Sequence, residues 1–135
     1  MYKILVVDDE SIEREGISFL IEKYKFPLEV AQATNGKTAL EYMRTHPIDI
    51  LLTDVKMPQM DGLELARHTF EKYPDVRILV FSAYGEFEFA KKAMAAQAVS
   101  YLLKPIEVDE FQRVMAQILA RCDELAEKKI GRAHV

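Results

Sequence analysis

Five times along its 135 residues the chain passes from a short apolar run into an amphipathic stretch, and this alternation constrains the fold more than any other feature. The runs fall at about 4–7, 29–33, 48–53, 77–81 and 100–102. Those that can be judged are nearly continuous in apolar character, as expected for strands of a parallel sheet covered on both faces. Helices are predicted at about 11–23, 36–45, 62–72 and 85–96, so strand and helix alternate and the fold class is α/β. Pro27, Pro47, Pro58, Pro74 and Pro105 all fall in the predicted connections, where a missing N–H and a fixed φ are tolerated. In the first helix Ile12, Gly16, Phe19, Leu20 and Lys23 share one face, which is predicted to pack.

The last helix is predicted over 107–129, about 34 Å long at 1.5 Å per residue, which exceeds what a sheet strand requires. Val108, Phe111, Met115, Ile118, Cys122 and Leu125 recur on it at alternating spacings of three and four. Such a stripe fits packing on the sheet and an interface helix equally well. The main domain is placed at 1–121 and a helical extension at 122–135, with 131–135 read as linker.

Composition removes several classes. Half of the residues are hydrophobic and the net charge is only -4, so the chain is not disordered. A chain of this length buries about two-thirds of its unfolded surface and needs no staples. One cysteine, Cys122, excludes an internal disulfide framework and suits a reducing, cytoplasmic compartment. No apolar run approaches the roughly 18 residues of a membrane span. With 18 Lys+Arg against 22 Asp+Glu there is no basic face for nucleic acid before the tail residues Lys128, Lys129 and Arg132.

In a parallel sheet all strands end at one edge, and ligands bind in the crevice beyond it. Strand one is followed by Asp8-Asp9-Glu10, strand three by Asp54, strand four by Ser82 and strand five by Lys104-Pro105. Two carboxylates ~4 Å apart repel by about 4 kcal/mol at an effective dielectric near 20, so three in one crevice call for a cation. Mg²⁺ suits them, since it takes hard oxygen ligands and keeps waters to share with phosphate; zinc is disfavoured because no His or Cys accompanies them. Asp54, isolated in Asp54-Val55-Lys56-Met57-Pro58, can act as a covalent nucleophile toward phosphorus, with Lys104 neutralising the charge that spreads over the oxygens.

Each residue alone has a plain structural alternative. The acids could cap the first helix, Ser82 could cap the next one, Tyr101 could be a core residue and Lys104 could be solvated. All of these holding at four strand ends together is improbable. No G-x-G-x-x-G or G-x-x-x-x-G-K-[ST] occurs, acids replace the hydroxyl- and glycine-rich loop of a flavin site, and Lys56 stands where a haloacid-dehalogenase-type phosphatase has its second carboxylate.

Four segments, Ile4-Leu5-Val6-Val7-Asp8-Asp9-Glu10, Asp54-Val55-Lys56-Met57-Pro58-Gln59-Met60-Asp61-Gly62, Phe81-Ser82-Ala83-Tyr84 and Tyr101-Leu102-Leu103-Lys104-Pro105, together resemble the receiver domain of two-component response regulators over about 2–119. The resemblance implies a flavodoxin-like, doubly wound (βα)5 three-layer sandwich with its sheet in the order 2-1-3-4-5. It implies Asp54 as phosphoacceptor and a Mg²⁺ ion held by Asp9, Asp54 and the main-chain carbonyl of Lys56, with Asp8 binding partly through water. Ser82 and Tyr101 would be the switch residues, Lys104 would bind the phosphoryl group, and Lys104-Pro105 would be cis. Lys56 and Tyr84 would flank the phosphoryl group and slow its loss.

The stretch from Phe81 to Ala93, with Tyr101-Leu102-Leu103-Lys104-Pro105-Ile106, is similar to a subgroup whose receivers are usually fused to an arabinose-regulator-type helix-turn-helix domain. Implied partners are a sensor histidine kinase and a second copy, met through the face of helix four, strand five and helix five or through the last helix. DNA would be reached only through an output domain outside this chain. The expected function is a phosphorylation-activated switch rather than an enzyme. A stand-alone receiver acting by protein binding and a small-molecule phosphotransfer enzyme are the alternatives.

Overall fold

A computed structural model of the chain describes residues 1–95 and 99–133, leaving aside the side chains of Tyr84, Arg132 and Ala133. The elements run β1 (Tyr2–Val7), α1 (Ser11–Lys23), β2 (Leu28–Ala33), α2 (Gly36–Thr45), β3 (Ile50–Asp54), α3 (Gly62–Lys72), β4 (Arg77–Ala83), α4 (Tyr84–Ala93), β5 (Val99–Lys104) and α5 (Val108–Ala133). All four strand pairings are parallel, in the order β2-β1-β3-β4-β5, so the flavodoxin-like arrangement holds.

Alternation along the strands divides the core between two layers of helices. Ile4, Val6, Ile50, Leu52, Leu79, Phe81 and Leu102 face α1 and α5, meeting Ile17, Ile21, Phe111, Val114, Met115 and Ile118. Leu5, Val7 and Leu51 face α2 and α3, against Ala39, Met43 and Leu65. Ile78 and Val80 continue that layer with Leu63, Ala66 and Ala90. With both faces covered, the central strands β1 and β3 have no polar side to present, which explains their continuous apolar runs, whereas the edge strand β2 exposes Glu29 and Gln32.

Strand limits depart from the predicted ones in an informative way. β3 begins at Ile50 rather than at residue 48, while β4 and β5 run on to Ala83 and Lys104 because Ser82 pairs with Leu103 and Ala83 with Lys104. Ser82, Asp54 and Lys104 therefore lie in the last rungs of the ladder, and only the 8–10 segment follows its strand. The predicted end of the fourth helix, at 96, falls outside the described residues; the helix spans Tyr84–Ala93.

One helix face needs correction, and the other is decided between its two readings. In α1 the buried residues are Ile17 and Ile21, whereas Ile12 and Phe19 are 79% and 61% exposed. The helix carries apolar residues on both sides, so periodicity alone cannot choose; the short 8–10 connection sets its rotation. In α5 the stripe is used inside the molecule, with Phe111, Met115, Ile118 and Cys122 buried on the sheet. Its Phe111 ring meets Phe26 edge-on at 5.9 Å. Burial also pushes the Cys122 thiol up to about 11.

α5 runs unbroken past residue 122 to Ala133; the last two residues of the stretch read as linker lie outside the described residues. Beyond Cys122 it remains docked on the sheet's lower edge. The Tyr2 hydroxyl donates to Asp123, Lys129 Nζ lies 3.3 Å from Asp75, and Leu125 lines a small hollow of about 80 Å³ between them. Among the described residues no helix is long and apolar enough to cross a membrane.

Candidate functional site

The site forms where β1, β3 and β5 end together. Asp8 follows β1, is buried, and accepts the Glu10 N–H on Oδ1 at 2.9 Å. Its own N–H reaches the Ala33 carbonyl at 3.3 Å and its carbonyl accepts from the Arg14 guanidinium at 2.7 Å. Glu10 occupies the N-cap of α1 without a side-chain cap bond, so capping does not account for that acid.

Asp54 is the last residue of β3, paired with Phe81 on β4, and is 6% exposed. The loop after it folds back tightly: Gly62 N–H donates to the Val55 carbonyl at 2.7 Å. A Cβ at Gly62 would lie 1.8 Å from the Asp54 carbonyl oxygen, so only glycine fits there. Gln59 takes a positive φ of 69° in this loop, and Asp61 caps α3 by accepting the Glu64 N–H.

Lys104 closes the site from β5. Two strand spacings separate β3 from β5, about 9.6 Å, and the long side chain spans them: Nζ stands 3.2 Å from Asp54 Oδ1 and 3.6 Å from Asp8 Oδ2. It also lies 4.4 Å from the centroid of the Phe81 ring, where the π face favours a cation. The Lys104-Pro105 peptide is cis, as the resemblance implied.

One ammonium does not balance the acids. Asp8, Asp9 and Asp54 each place a carboxylate oxygen within 4.8 Å of the others. Burial is the main reason that Asp8 is pushed up to about 6, with Asp54 adding to it and Lys104 opposing it. Burial likewise raises Asp54, against Lys104. For Lys104 burial pulls downward, but the two carboxylates outweigh it and the net shift is upward. Asp8 Oδ2 is buried with no hydrogen-bond partner among the described residues. Three hard oxygen donors, one of them with an ion pair but no hydrogen bond, fit a small divalent cation.

The remaining predicted residues lie around this centre. Ser82 is buried, and its Oγ has no hydrogen-bond partner among the described residues. Tyr101 pairs in register with Val80 and packs edge-on against Phe87 of α4, centroids 6.2 Å apart. The Lys56 side chain is exposed, with Nζ 3.9 Å from Glu86 in the first turn of α4. Tyr84 opens α4, and its side chain lies outside what is described. Nothing in the sequence signalled the Phe81 ring beside Lys104, Glu86 beside Lys56 or the Arg14 guanidinium on the Asp8 carbonyl. The requirement for glycine at Gly62 did have a signal, a glycine eight residues past Asp54.

Comparisons with known proteins agree with this geometry. The response regulator receiver domain family matches residues 4–116. The chain is 38% identical over 136 residues to the uncharacterized transcriptional regulatory protein YesN of Bacillus subtilis, covering 100% of this chain and 37% of that protein. It is 32% identical to the uncharacterized response regulatory protein SERP2406 of Staphylococcus epidermidis, covering 90% of this chain and 48% of that one. It thus spans less than half the length of these curated relatives. Among solved structures, the receiver domain of AraT, a response regulator from Geobacillus stearothermophilus, superposes with a TM-score of 0.82 at 38% identity, over 95% of this chain and 98% of that one. A two component transcriptional regulator AraC from Clostridium phytofermentans superposes equally well, TM-score 0.82 at 33% identity, over 92% of this chain and 97% of that one. With its sheet order, its acidic edge and these relatives in agreement, the chain belongs to the family of response regulator receiver domains.

Proposed function

We propose that this chain is a phosphorylation-controlled switch in which Asp54 accepts a phosphoryl group from a sensor histidine kinase. The observation that carries the reading is the buried Asp54 carboxylate held 3.2 Å from Lys104, with two further carboxylates beside it. An Asp54 oxygen attacks phosphorus, the P–N bond to the kinase histidine breaks, and the imidazole nitrogen leaves and takes up a proton. Lys104 neutralises the phosphoryl oxygens as charge spreads over them. Held by Asp9, Asp54 and the Lys56 carbonyl, with Asp8 partly through water, Mg²⁺ would supply the rest of that neutralisation.

The unpartnered Ser82 hydroxyl can turn to a phosphoryl oxygen, and Tyr101, three residues along β4–β5 from the Ala83–Lys104 rung, can follow it. Such a local charge event would bias the α4–β5–α5 face, where Phe87 of α4 meets Tyr101 of β5, and a second copy or a following domain would read the change there. Transcription control through a DNA-binding domain outside this chain is supported by the names of the YesN and AraC relatives.

Acetyl phosphate and Mg²⁺ are expected to add one phosphoryl group per chain, with no hydrolysis of a chromogenic phosphate ester beyond one equivalent. Sustained turnover of the ester would instead assign the site to a phosphotransfer enzyme.

A further inference from the structure

We infer that Arg14 is a positioning residue which holds the acidic 8–10 segment in its cation-binding shape through the Asp8 main-chain carbonyl, and that Gln32 aims its guanidinium. The inference rests on reading Asp8, Asp9 and Asp54 as a Mg²⁺ site.

The β1–β2 ladder ends at the Val7–Ala33 rung. Asp8 still finds the Ala33 carbonyl for its N–H, but its own carbonyl has passed the end of the strand. Arg14 Nη1 fills that place, donating at 2.7 Å, the length of a charge-assisted bond. The same guanidinium donates through Nε to Gln32 Oε1 at 3.0 Å. Gln32 Nε2 donates to Ser18 Oγ at 3.3 Å, and Ser18 Oγ donates to the Arg14 carbonyl at 2.9 Å. The cycle closes on the residue where it began. Only one orientation of the Gln32 amide satisfies both neighbours, its oxygen toward Arg14 and its NH₂ toward Ser18.

This matters for Asp9. Asp8 is fixed at three points, by its N–H, its carbonyl and the Glu10 N–H on its carboxylate. Asp9 is exposed and makes no side-chain hydrogen bond or ion pair among the described residues. Its direction is therefore inherited from the Asp8–Asp9 peptide plane, and Arg14 grips that plane by its oxygen.

Charge and position act in opposite directions here, which makes the role measurable. A guanidinium near the acids repels a cation, so if charge dominated, its removal would tighten Mg²⁺ binding. If positioning dominates, its removal weakens binding. A tie that merely fastened α1 to β2 would change thermal stability and leave metal affinity alone.

The test is a Mg²⁺ titration of the whole chain, followed by the Asp9 and Glu10 amide resonances, with melting curves alongside. The variants are Arg14→Ala, Gln32→Ala and the double change. Arg14→Ala is expected to weaken Mg²⁺ binding by about tenfold, the lower end of the roughly tenfold to hundredfold that partners behind a metal ligand contribute. Gln32 is exposed, and its replacement leaves the charge in place, so Gln32→Ala should weaken binding by a smaller factor in the same direction. The double variant should bind no more weakly than Arg14→Ala, because the two act as one unit. Unchanged or tighter binding in Arg14→Ala, or additive losses, would overturn the inference. If Arg14→Ala does not fold, unchanged affinity in Gln32→Ala overturns it alone. A wild-type chain with no saturable Mg²⁺ response would defeat the metal-site reading itself, a result separate from any variant's.

Discussion

Lys104 Nζ lies 3.2 Å from Asp54 Oδ1, on the far side of a strand that separates the two residues in the sheet. The same ammonium is 3.6 Å from Asp8 Oδ2, so one cation restrains two buried carboxylates. Removing it leaves both without a close cation. Lys104→Met is therefore expected to destabilise the metal-free chain at pH 7.5 by about 2–3 kcal/mol, since an unpaired buried charge is costly. Urea unfolding checks this, and Mg²⁺ should restore much of the loss because it binds the folded state. An equally stable variant would show that the acids do not depend on Lys104.

Asp8 predicts a pH dependence of definite sign. Its pKa in the fold is about 6 against an ordinary 3.8, so between these values the native state keeps a proton that the unfolded chain has released. Stability without divalent cation should fall as pH rises from about 4 through 6, by on the order of 2–3 kcal/mol from this residue. Asp8→Asn cannot develop the charge, so it should be more stable than wild type at pH 7.5 and converge with it near pH 4. Denaturant melts at several pH values decide this; an Asn variant less stable at neutral pH would contradict it.

Gly62 is required for space rather than for backbone conformation, because no glycine of the described chain has positive φ. A Cβ there meets main-chain atoms of Asp54 and Val55, which cannot move aside as a side-chain tip could. Gly62→Ala should destabilise by about 1–3 kcal/mol, the usual range for overpacking, and slow phosphorylation of Asp54. Thermal melting with acetyl phosphate labelling checks both; wild-type labelling would show that the loop can move without displacing the nucleophile.

The lifetime of the phosphorylated state depends on water reaching phosphorus in line. Lys56, beside Asp54 and near Glu86, is neither a carboxylate nor an amide suited to orient that water. Lys56→Asn should speed loss of the phosphoryl group a few-fold, read from its decay in excess Mg²⁺. Unchanged or slower decay would show that Lys56 does not shield it.

The layers and the meeting of Asp8, Asp9, Asp54 and Lys104 were legible in the sequence, because apolar runs mark buried strands and strand ends mark the edge; the strand order came only with the resemblance to receiver domains. What stayed hidden depended on tertiary choice. Ile12 and Phe19 look as apolar as Ile17 and Ile21, and only the attachment to β1 selects which pair is buried. The α5 stripe fitted a partner helix as well as a sheet until Phe111, Met115 and Ile118 were found against the sheet. Arg14 and Gln32, eighteen residues apart, carry no pattern linking them before α1 and β2 are placed side by side.

The central claim is that Asp54 alone accepts the phosphoryl group. Intact-mass measurement after incubation with acetyl phosphate and Mg²⁺ tests it most directly, on the wild-type chain and on Asp54→Asn. One added phosphoryl mass in wild type and none in Asp54→Asn is the predicted result. The same added mass persisting in Asp54→Asn would contradict the account.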